Sequence, residues 1–262
     1  MITINKLKKL KKSGKKISMI TCYDYTSAKI INETDIDIVL VGDSAAMVMH
    51  GHDTTIPANI EMMINHVESV KRGIDNKLII ADMPFLAHRK DKNTVIDSVD
   101  SLMKAGASGV KIEGGNSHAE MIRHIVESGV PVMGHLGLMP QSVHSLGGWK
   151  IQGDSLYNSN QIQADSKVLE DAGIFGLVLE MVPSRLAKKI TSKLKIPTIG
   201  IGAGVYTSGQ VLVFQDLLGL NPQFNPTFLR KYLDGFSIFK KSINQFCKDV
   251  RSENFPNNKE SF

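Results

Sequence analysis

Residues 109–115 read Gly-Val-Lys-Ile-Glu-Gly-Gly, and residues 79–84 read Ile-Ile-Ala-Asp-Met-Pro. Each stretch is a short, largely apolar run that carries charged residues toward its end and is then broken by glycine or proline. Apolar runs of this length are typical of parallel strands that are covered on both faces. The two stretches therefore predict successive strands of a parallel sheet, with polar side chains at their carboxyl ends.

The same pattern recurs along the chain and predicts eight strands, at 17–22, 36–41, 77–81, 109–112, 131–135, 174–179, 197–201 and 210–214. Helical spacing fills the gaps, for example at 58–72, 94–104, 118–127 and 184–193. Eight strands that alternate with helices favour an α/β protein with a (β/α)8 TIM barrel. A doubly wound open sheet, which would need fewer strands, is the alternative.

The organisation predicted for 1–262 is a single barrel domain with short additions at both ends. A lysine-rich amphipathic helix is expected at 3–13, where Ile4, Leu7 and Leu10 share one side. Apolar residues at spacings of three and four predict a C-terminal helical region at about 225–251, which caps the barrel or joins an interface. The segment 139–160 is rich in Gly, Ser and Gln and contains Trp149. It is predicted to be a long functional loop, or an insertion that packs on a neighbouring subunit.

The composition argues against membrane and nucleic-acid partners. Hydrophobic residues make up 42% of the chain, yet no apolar run approaches the ~18 residues that span a bilayer. The net charge of +5 is local, because seven lysines lie within the first sixteen residues. We interpret them as a solvated helix face in preference to a phosphate-binding arm. Cys22 and Cys247 are far apart and lack metal-ligand spacing, which fits a reduced cytoplasmic compartment.

Polar residues occur where five consecutive predicted strands end. In barrels of this type the chemistry lies at the carboxyl ends of the strands. A single acidic residue there often caps the next helix, and a lone histidine is often a core residue. Six such residues at matching positions are hard to explain in that way, so they predict one active site: Asp43, Asp82, Lys111, Glu113, His135 and Glu180.

The residue types indicate a metal-assisted reaction on a small acid. Asp43, Asp82 and Glu113 supply oxygen ligands without cysteine, which favours Mg²⁺ over zinc. Lys111 can balance an anionic carboxylate or an enolate oxygen. Glu180 is flanked by apolar residues that should raise its pKa and suit it to act as a base. A salt bridge between Glu180 and Lys111 is the alternative.

Two further signals are weaker. The turn Gly200-Ile201-Gly202-Ala203-Gly204 is either a phosphate-binding turn or a site of tight backbone packing, and it lacks the spacing of a nucleotide-binding motif. Ser44 either donates to a substrate carboxylate or caps a helix.

At the level of motifs the chain resembles the ketopantoate hydroxymethyltransferase family over nearly its whole length. The strings that carry the resemblance are Thr21-Cys22-Tyr23-Asp24, Val41-Gly42-Asp43-Ser44, Gly51-His52-Asp53-Thr54-Thr55, Ala81-Asp82-Met83-Pro84-Phe85, Val110-Lys111-Ile112-Glu113-Gly114-Gly115, Gly134-His135-Leu136-Gly137-Leu138 and the glycine-rich turn above. The resemblance implies a cytoplasmic homo-oligomer, a decamer, that acts in pantothenate biosynthesis. It implies Mg²⁺ and, as one-carbon donor, the folate 5,10-methylenetetrahydrofolate.

The resemblance also implies roles for individual residues. Asp43, Asp82 and Glu113 would be the metal-associated positions, and Asp43, Ser44, Asp82 and Lys111 would contact the keto acid. Glu180 would be the base that forms a Mg²⁺-stabilised enolate of 3-methyl-2-oxobutanoate, on the way to 2-dehydropantoate. His135 is expected to contact these side chains without itself binding the metal or the keto acid.

The chain departs from the family pattern after the glycine-rich turn. Similar proteins have an Asn followed by Asp-Gly-Gln, whereas residues 205–210 read Val-Tyr-Thr-Ser-Gly-Gln. The departure bears on how the folate is held and leaves the metal and base positions intact.

Two other functions were weighed against this one. A lyase or mutase of the phosphoenolpyruvate mutase kind would share the barrel, but it is expected to carry a reactive cysteine in a Lys-Lys-Cys-Gly-His-type loop, which this sequence lacks. A non-catalytic binding protein would not need the complete set of charged residues.

Overall fold

The computed structural model describes residues 2–142, 148 and 150–262. Its core is a closed barrel of eight parallel strands in chain order, with β8 paired to β1. The predicted (β/α)8 barrel is confirmed, and the open sheet is wrong. The strands are β1 Ile17–Thr21, β2 Ile38–Val41, β3 Leu78–Asp82, β4 Gly109–Glu113, β5 Val132–Gly137, β6 Gly176–Glu180, β7 Thr198–Ile201 and β8 Gly209–Leu212.

Ten α-helices are found in the part of the chain that the structure describes. They are α1 Ile4–Lys12, α2 Tyr25–Asn32, α3 Ala45–Val48, α4 Ile60–Gly73, α5 Lys92–Lys104, α6 Ala119–Glu127, α7 Leu156–Asp171, α8 Ser184–Lys193, α9 Phe214–Leu217 and α10 Gly235–Arg251. The four helices predicted between strands agree with α4, α5, α6 and α8 to within two residues. Side-chain caps fix such boundaries: Asn59 accepts from the backbone N–H of Met62 at 2.9 Å, so α4 begins at the next residue.

The predicted C-terminal helix is wrong over residues 225–234. The backbone N–H of Tyr232 bonds to the carbonyl oxygen of Leu217 at 2.8 Å, so it is not available to a helix that begins near 225. Asp234 instead caps α10 by accepting from the N–H of Ser237, and the helix begins at Gly235. β8 is also shorter than predicted, since Phe214 already begins α9.

The predicted loop 139–160 ends earlier than expected. Ser155 accepts from the N–H of Asn158 at 3.2 Å and caps α7, which begins at Leu156. The loop begins with a 3-10 turn, Pro140–Ser142. Trp149 and residues 143–147 lie outside the described residues, so the functional role or subunit contact expected of this loop stays a prediction.

Helix α1 covers the amino end of the barrel. Leu7 is 1% exposed and packs among inward side chains of the strands, including Ile17, Ile38 and Leu78. Lys11 is not solvated as predicted: its Nζ donates to the carbonyl oxygens of Thr191, Leu194 and Ile196 at 2.7–2.8 Å. Among the described residues, no helix is both long and apolar enough to cross a membrane.

The chain forms two compact units, residues 1–212 and 213–262. The second unit contains α9 and α10. Along α10, apolar side chains that are about half exposed recur at spacings of three and four: Phe236, Phe239, Ile243, Phe246 and Val250. The single-domain organisation of 1–262 and the interface role of this region stay predictions.

Replacing Leu7 with alanine should destabilise the protein by about 2–5 kcal/mol, because it leaves a cavity among well-packed inward side chains. Denaturant unfolding of the wild type and Leu7→Ala measures the difference in free energy of unfolding. Leu156→Ala is the matched control, since Leu156 is 80% exposed and its truncation should change little. Equal effects of the two substitutions would contradict the packing of α1 against the barrel.

Candidate active site

The inward-facing side chains of the barrel change from apolar to charged at the carboxyl ends of the strands. Side chains two residues apart lie on the same face of a strand. Ile80, Met133 and Val178 belong to the apolar interior, and two residues further along their strands stand Asp82, His135 and Glu180. The uppermost layer of the barrel is therefore a cluster of ionisable groups above an apolar filling.

Strand register brings the predicted residues next to one another. Asp82 pairs with Lys111 across β3 and β4, and Glu113 pairs with His135 across β4 and β5. Asp43 follows β2, and its backbone N–H donates to Asp82 Oδ2 at 3.0 Å. All these side chains are buried, whereas Glu180 remains partly accessible at the end of β6.

Lys111 lies at the centre of the charged cluster. Its Nζ is 2.8 Å from Asp82 Oδ1, 3.8 Å from Glu113 Oε1 and 3.3 Å from His135 Nδ1. Burial lowers the pKa of Lys111, but the neighbouring carboxylates outweigh burial and raise it. Lys111 therefore carries a positive charge at neutral pH.

His135 links two carboxylates. Its Nδ1 is 3.2 Å from Glu113 Oε1, and its Nε2 is 3.3 Å from Glu180 Oε2. Burial and the charge of Lys111 push the pKa of His135 down, but the contacts with Glu113 and Glu180 outweigh them and raise it to about 9. Glu180 thus contacts His135, where the alternative prediction had a salt bridge to Lys111.

The environment shifts the pKa values of the three fully buried carboxylates in different directions. Burial, followed by the charges of Asp82 and Glu113, raises the pKa of Asp43 well above its ordinary value. Burial also raises the pKa of Asp82. For Glu113, His135 and Lys111 outweigh the effect of burial and lower the pKa. Among the described residues, four carboxylates face two cationic side chains, so the cluster favours an additional cation.

The donor set fits Mg²⁺. Buried carboxylates are rare unless they are paired or bind metal, and Asp43 accepts a bond from the neutral amide of Gln141. Within the described residues, no three His, Cys, Asp or Glu side chains form a ready-made metal site. Mg²⁺ does not require one, because one or two carboxylates usually hold it together with water and substrate oxygens. Asp43 and Asp82 suit that role, with Glu113 beside them.

Ser44 faces a buried tyrosine. It precedes α3 but makes no side-chain cap, so the helix-cap interpretation is wrong. Its Oγ is 2.8 Å from the hydroxyl of Tyr23, which is 1% exposed and whose pKa is raised by burial. Tyr23 was not predicted as a site residue, although it lies two residues after the end of β1 and within a quoted family string.

Gln141 was also missed. It is 4% exposed and bonds to both Asp43 and Glu113. It lies in a stretch of polar and small residues where the sequence indicates a loop but does not show which side chain turns inward. The only available signal was its position four residues after β5.

The glycine-rich turn is explained by tight packing. A Cβ on Gly204, whose φ is +76°, would lie 2.2 Å from Ser184 Oγ. The departure at 205–208 is accommodated locally: Gln210 Nε2 donates to Gly204 O and Thr207 Oγ1, both at 2.9 Å, and Thr207 Oγ1 donates to Gly209 O. Val205 and Tyr206 are exposed.

Comparisons of the sequence with known proteins identify one family, and comparison with solved structures shows the fold. A family model described as ketopantoate hydroxymethyltransferase matches residues 1–258. The 3-methyl-2-oxobutanoate hydroxymethyltransferase of Coxiella burnetii (strain CbuK_Q154) is 52% identical, over 98% of this chain and 97% of the relative. That of Bdellovibrio bacteriovorus is 53% identical, over 96% of each chain. A crystal structure of phosphonopyruvate hydrolase has a TM-score of 0.63 over 99% of this chain and 93% of that one, at 11% identity, so it shows the fold alone.

The raised pKa of His135 predicts that the metal-free protein loses stability as the pH rises. Protonated His135 stabilises the folded state fully below about pH 6.5, and this contribution is lost as the pH rises through about 9. Between these limits wild type should lose about 3 kcal/mol more free energy of unfolding than His135→Gln. Urea unfolding in the presence of a chelator measures this, with His124→Gln as control. Parallel pH profiles for wild type and His135→Gln would contradict the assignment.

Proposed function

Because the chain belongs to the ketopantoate hydroxymethyltransferase family and is a transferase, we propose that it transfers a hydroxymethyl group from 5,10-methylenetetrahydrofolate to 3-methyl-2-oxobutanoate. The product would be 2-dehydropantoate. The observation that supports the proposal most is the buried charged layer at the ends of β2 to β6. It contains groups suited to bind the keto acid, to bind a metal ion and to remove a proton. The proposal that 5,10-methylenetetrahydrofolate is the one-carbon donor is supported only by membership of the family.

The keto acid would bind between Asp43, Ser44, Asp82 and Lys111. Tyr23 can donate to Ser44 Oγ, which leaves the serine hydroxyl hydrogen free to bond to the substrate carboxylate. Lys111 is positively charged, and it can balance the oxygen on which negative charge develops. Its contact with Asp82 at 2.8 Å holds the ammonium group in place before the substrate arrives.

The metal site would be formed by Asp43 and Asp82, with Glu113 adjacent. When bound there, Mg²⁺ supplies a Lewis acid for the keto acid oxygens and so acidifies the neighbouring C–H. Lys111 and His135 keep Glu113 ionised, which maintains negative charge beside that position.

Glu180 is proposed as the base that removes the proton at C3. Its Oε2 is 3.3 Å from His135 Nε2, so the protonated imidazole attracts this oxygen and Oε1 is the oxygen that would approach the substrate. The Glu180 side chain is 16% exposed, more than its buried neighbours, which allows contact with a ligand above the barrel. The resulting enolate carbon would then attack the one-carbon unit of the folate. The bond from the one-carbon unit to the folate nitrogen would break, tetrahydrofolate would leave, and water would supply the hydroxyl oxygen.

A carbon–carbon lyase of the phosphoenolpyruvate mutase kind is disfavoured by the cysteines. Cys22 is buried, and burial raises the pKa of its thiol to about 12, so it is a poor nucleophile. A non-catalytic binding protein is disfavoured by the complete set of metal, cationic and basic positions.

We also place the protein in pantothenate biosynthesis, in the cytoplasm, as a homo-oligomer that would be a decamer as implied by the family. The apolar stripe of α10 supports oligomerisation, because contiguous exposed apolar patches are uncommon on monomers.

Glu180→Gln should lower turnover by about 10²- to 10⁴-fold, because it removes general-base catalysis and keeps the size of the side chain. Proton NMR of 3-methyl-2-oxobutanoate in D₂O measures loss of the C3–H signal with and without Mg²⁺, and full turnover follows when the folate is added. Binding of the keto acid should stay near that of wild type. Glu127→Gln, an exposed glutamate at the end of α6, is the control. Wild-type exchange rates in Glu180→Gln would remove Glu180 from this role.

Asp43→Asn should weaken both metal and keto acid binding, because it removes a buried carboxylate that accepts a bond from the neutral amide of Gln141 and so keeps its negative charge for a cation. The affinity for Mn²⁺, used in place of Mg²⁺, should fall by about 100-fold. Calorimetric titration of each ligand measures the two effects, with Asp97→Asn on the exposed side of α5 as control. Unchanged Mn²⁺ affinity would contradict the metal assignment.

A further inference from the structure

Gln141 joins the ends of three strands through one side chain and one backbone group. Its Nε2 donates to Asp43 Oδ2 at 2.8 Å and to the carbonyl oxygen of Met83 at 2.9 Å. Its backbone N–H donates to Glu113 Oε2 at 3.2 Å. The residue therefore contacts two of the proposed metal carboxylates and the backbone directly after β3.

These contacts fix the amide in one orientation. Both partners of the side-chain amide are acceptors, so only its NH₂ end can bond to them. The bond to Met83 anchors that NH₂ group to the barrel, and the bond to Asp43 Oδ2 then sets the rotation of the carboxylate. The direction in which Asp43 Oδ1 points is determined by the same bond.

The chemistry of an amide suits this position. Lys111 holds Asp82 with a full positive charge, which also opposes the binding of a cation nearby. Gln141 contacts Asp43 and Glu113 through neutral donors, so it orders both carboxylates without adding positive charge beside a bound cation.

We propose that Gln141 is the positioning residue of the metal site, holding the Asp43 and Glu113 carboxylates in the arrangement that binds a divalent cation. The inference rests on the proposed function, since it assumes that these carboxylates bind Mg²⁺. It adds a residue that does not itself bind the metal and that comes from the loop after β5. Groups that bond to metal ligands typically contribute 10- to 100-fold to metal affinity.

The test is the affinity of the purified, metal-stripped protein for Mn²⁺, measured from the electron paramagnetic resonance signal of the free ion. Gln141→Ala removes both side-chain donors, and Gln141→Met removes them while nearly keeping the side-chain volume, in case the alanine variant folds poorly. Gln163→Ala is the matched control: Gln163 is a partly buried amide whose Nε2 donates to Ser159 within α7, away from the carboxylate cluster.

Both Gln141 variants should bind Mn²⁺ about 10- to 100-fold more weakly than wild type, and the control should match wild type. In activity assays, the Mg²⁺ concentration for half-maximal rate should rise by the same factor, while kcat at saturating Mg²⁺ should stay within a few-fold. Loss of packing alone would instead lower kcat at every Mg²⁺ concentration. Wild-type affinity in Gln141→Met would overturn this inference and leave the metal site standing. Failure of wild type to bind Mn²⁺ would overturn the metal site and this inference together.

Discussion

The contact between the Lys111 ammonium and the Asp82 carboxylate, deep in the barrel mouth, is the interaction on which the site depends. The charge of Lys111 lowers the free-energy cost of ionising the buried carboxylates around it, because the desolvation of each charge is expensive. Lys111 reaches Asp82 directly, Glu113 at longer range and His135 beside both. It is held by β4, a strand from the wall of the barrel, so its position is set by the backbone of the fold and not by a loop.

The burial of these charged groups costs free energy, and the apolar packing of the rest of the barrel offsets that cost. The layers below are filled by Ile80, Met133, Val178 and similar side chains, and Leu7 of α1 completes the filling at the amino end. Charged groups are thus confined to one end of a packed apolar column. The apolar filling also denies water access from below, which strengthens every electrostatic interaction in the layer above.

The sequence predicted the fold, and the clustering of most residues of the candidate site, for a common reason. Strand alternation and strand ends are local properties, so Asp82, Lys111, Glu113 and Glu180 could be assigned to one end of the barrel from spacing alone. Contacts made by loops are not local. Gln141 faces inward because it bonds to Asp43, Met83 and Glu113, which lie at the ends of other strands. No pattern within its own segment indicates these contacts. The start of α10 was misplaced for a similar reason, since the N–H of Tyr232 bonds to a carbonyl fifteen residues away.

The environment of Lys11 could not be predicted either. It is one of seven lysines near the amino end of the sequence, and its three carbonyl partners lie far away in the chain.

The contacts of Lys11 have a consequence for how the protein is made. Its partners Thr191, Leu194 and Ile196 are separated from it by 180 to 185 residues. These carbonyl groups are synthesised long after α1, so Lys11 lacks its three partners until most of the barrel has been made. Leu7 packs in a cluster that extends from Ile17 to Val211, so the apolar side of α1 also gains its last partners late, at the stage when chaperones act on nascent chains. The packing of α1 is therefore complete only after the last strands of the barrel have been synthesised.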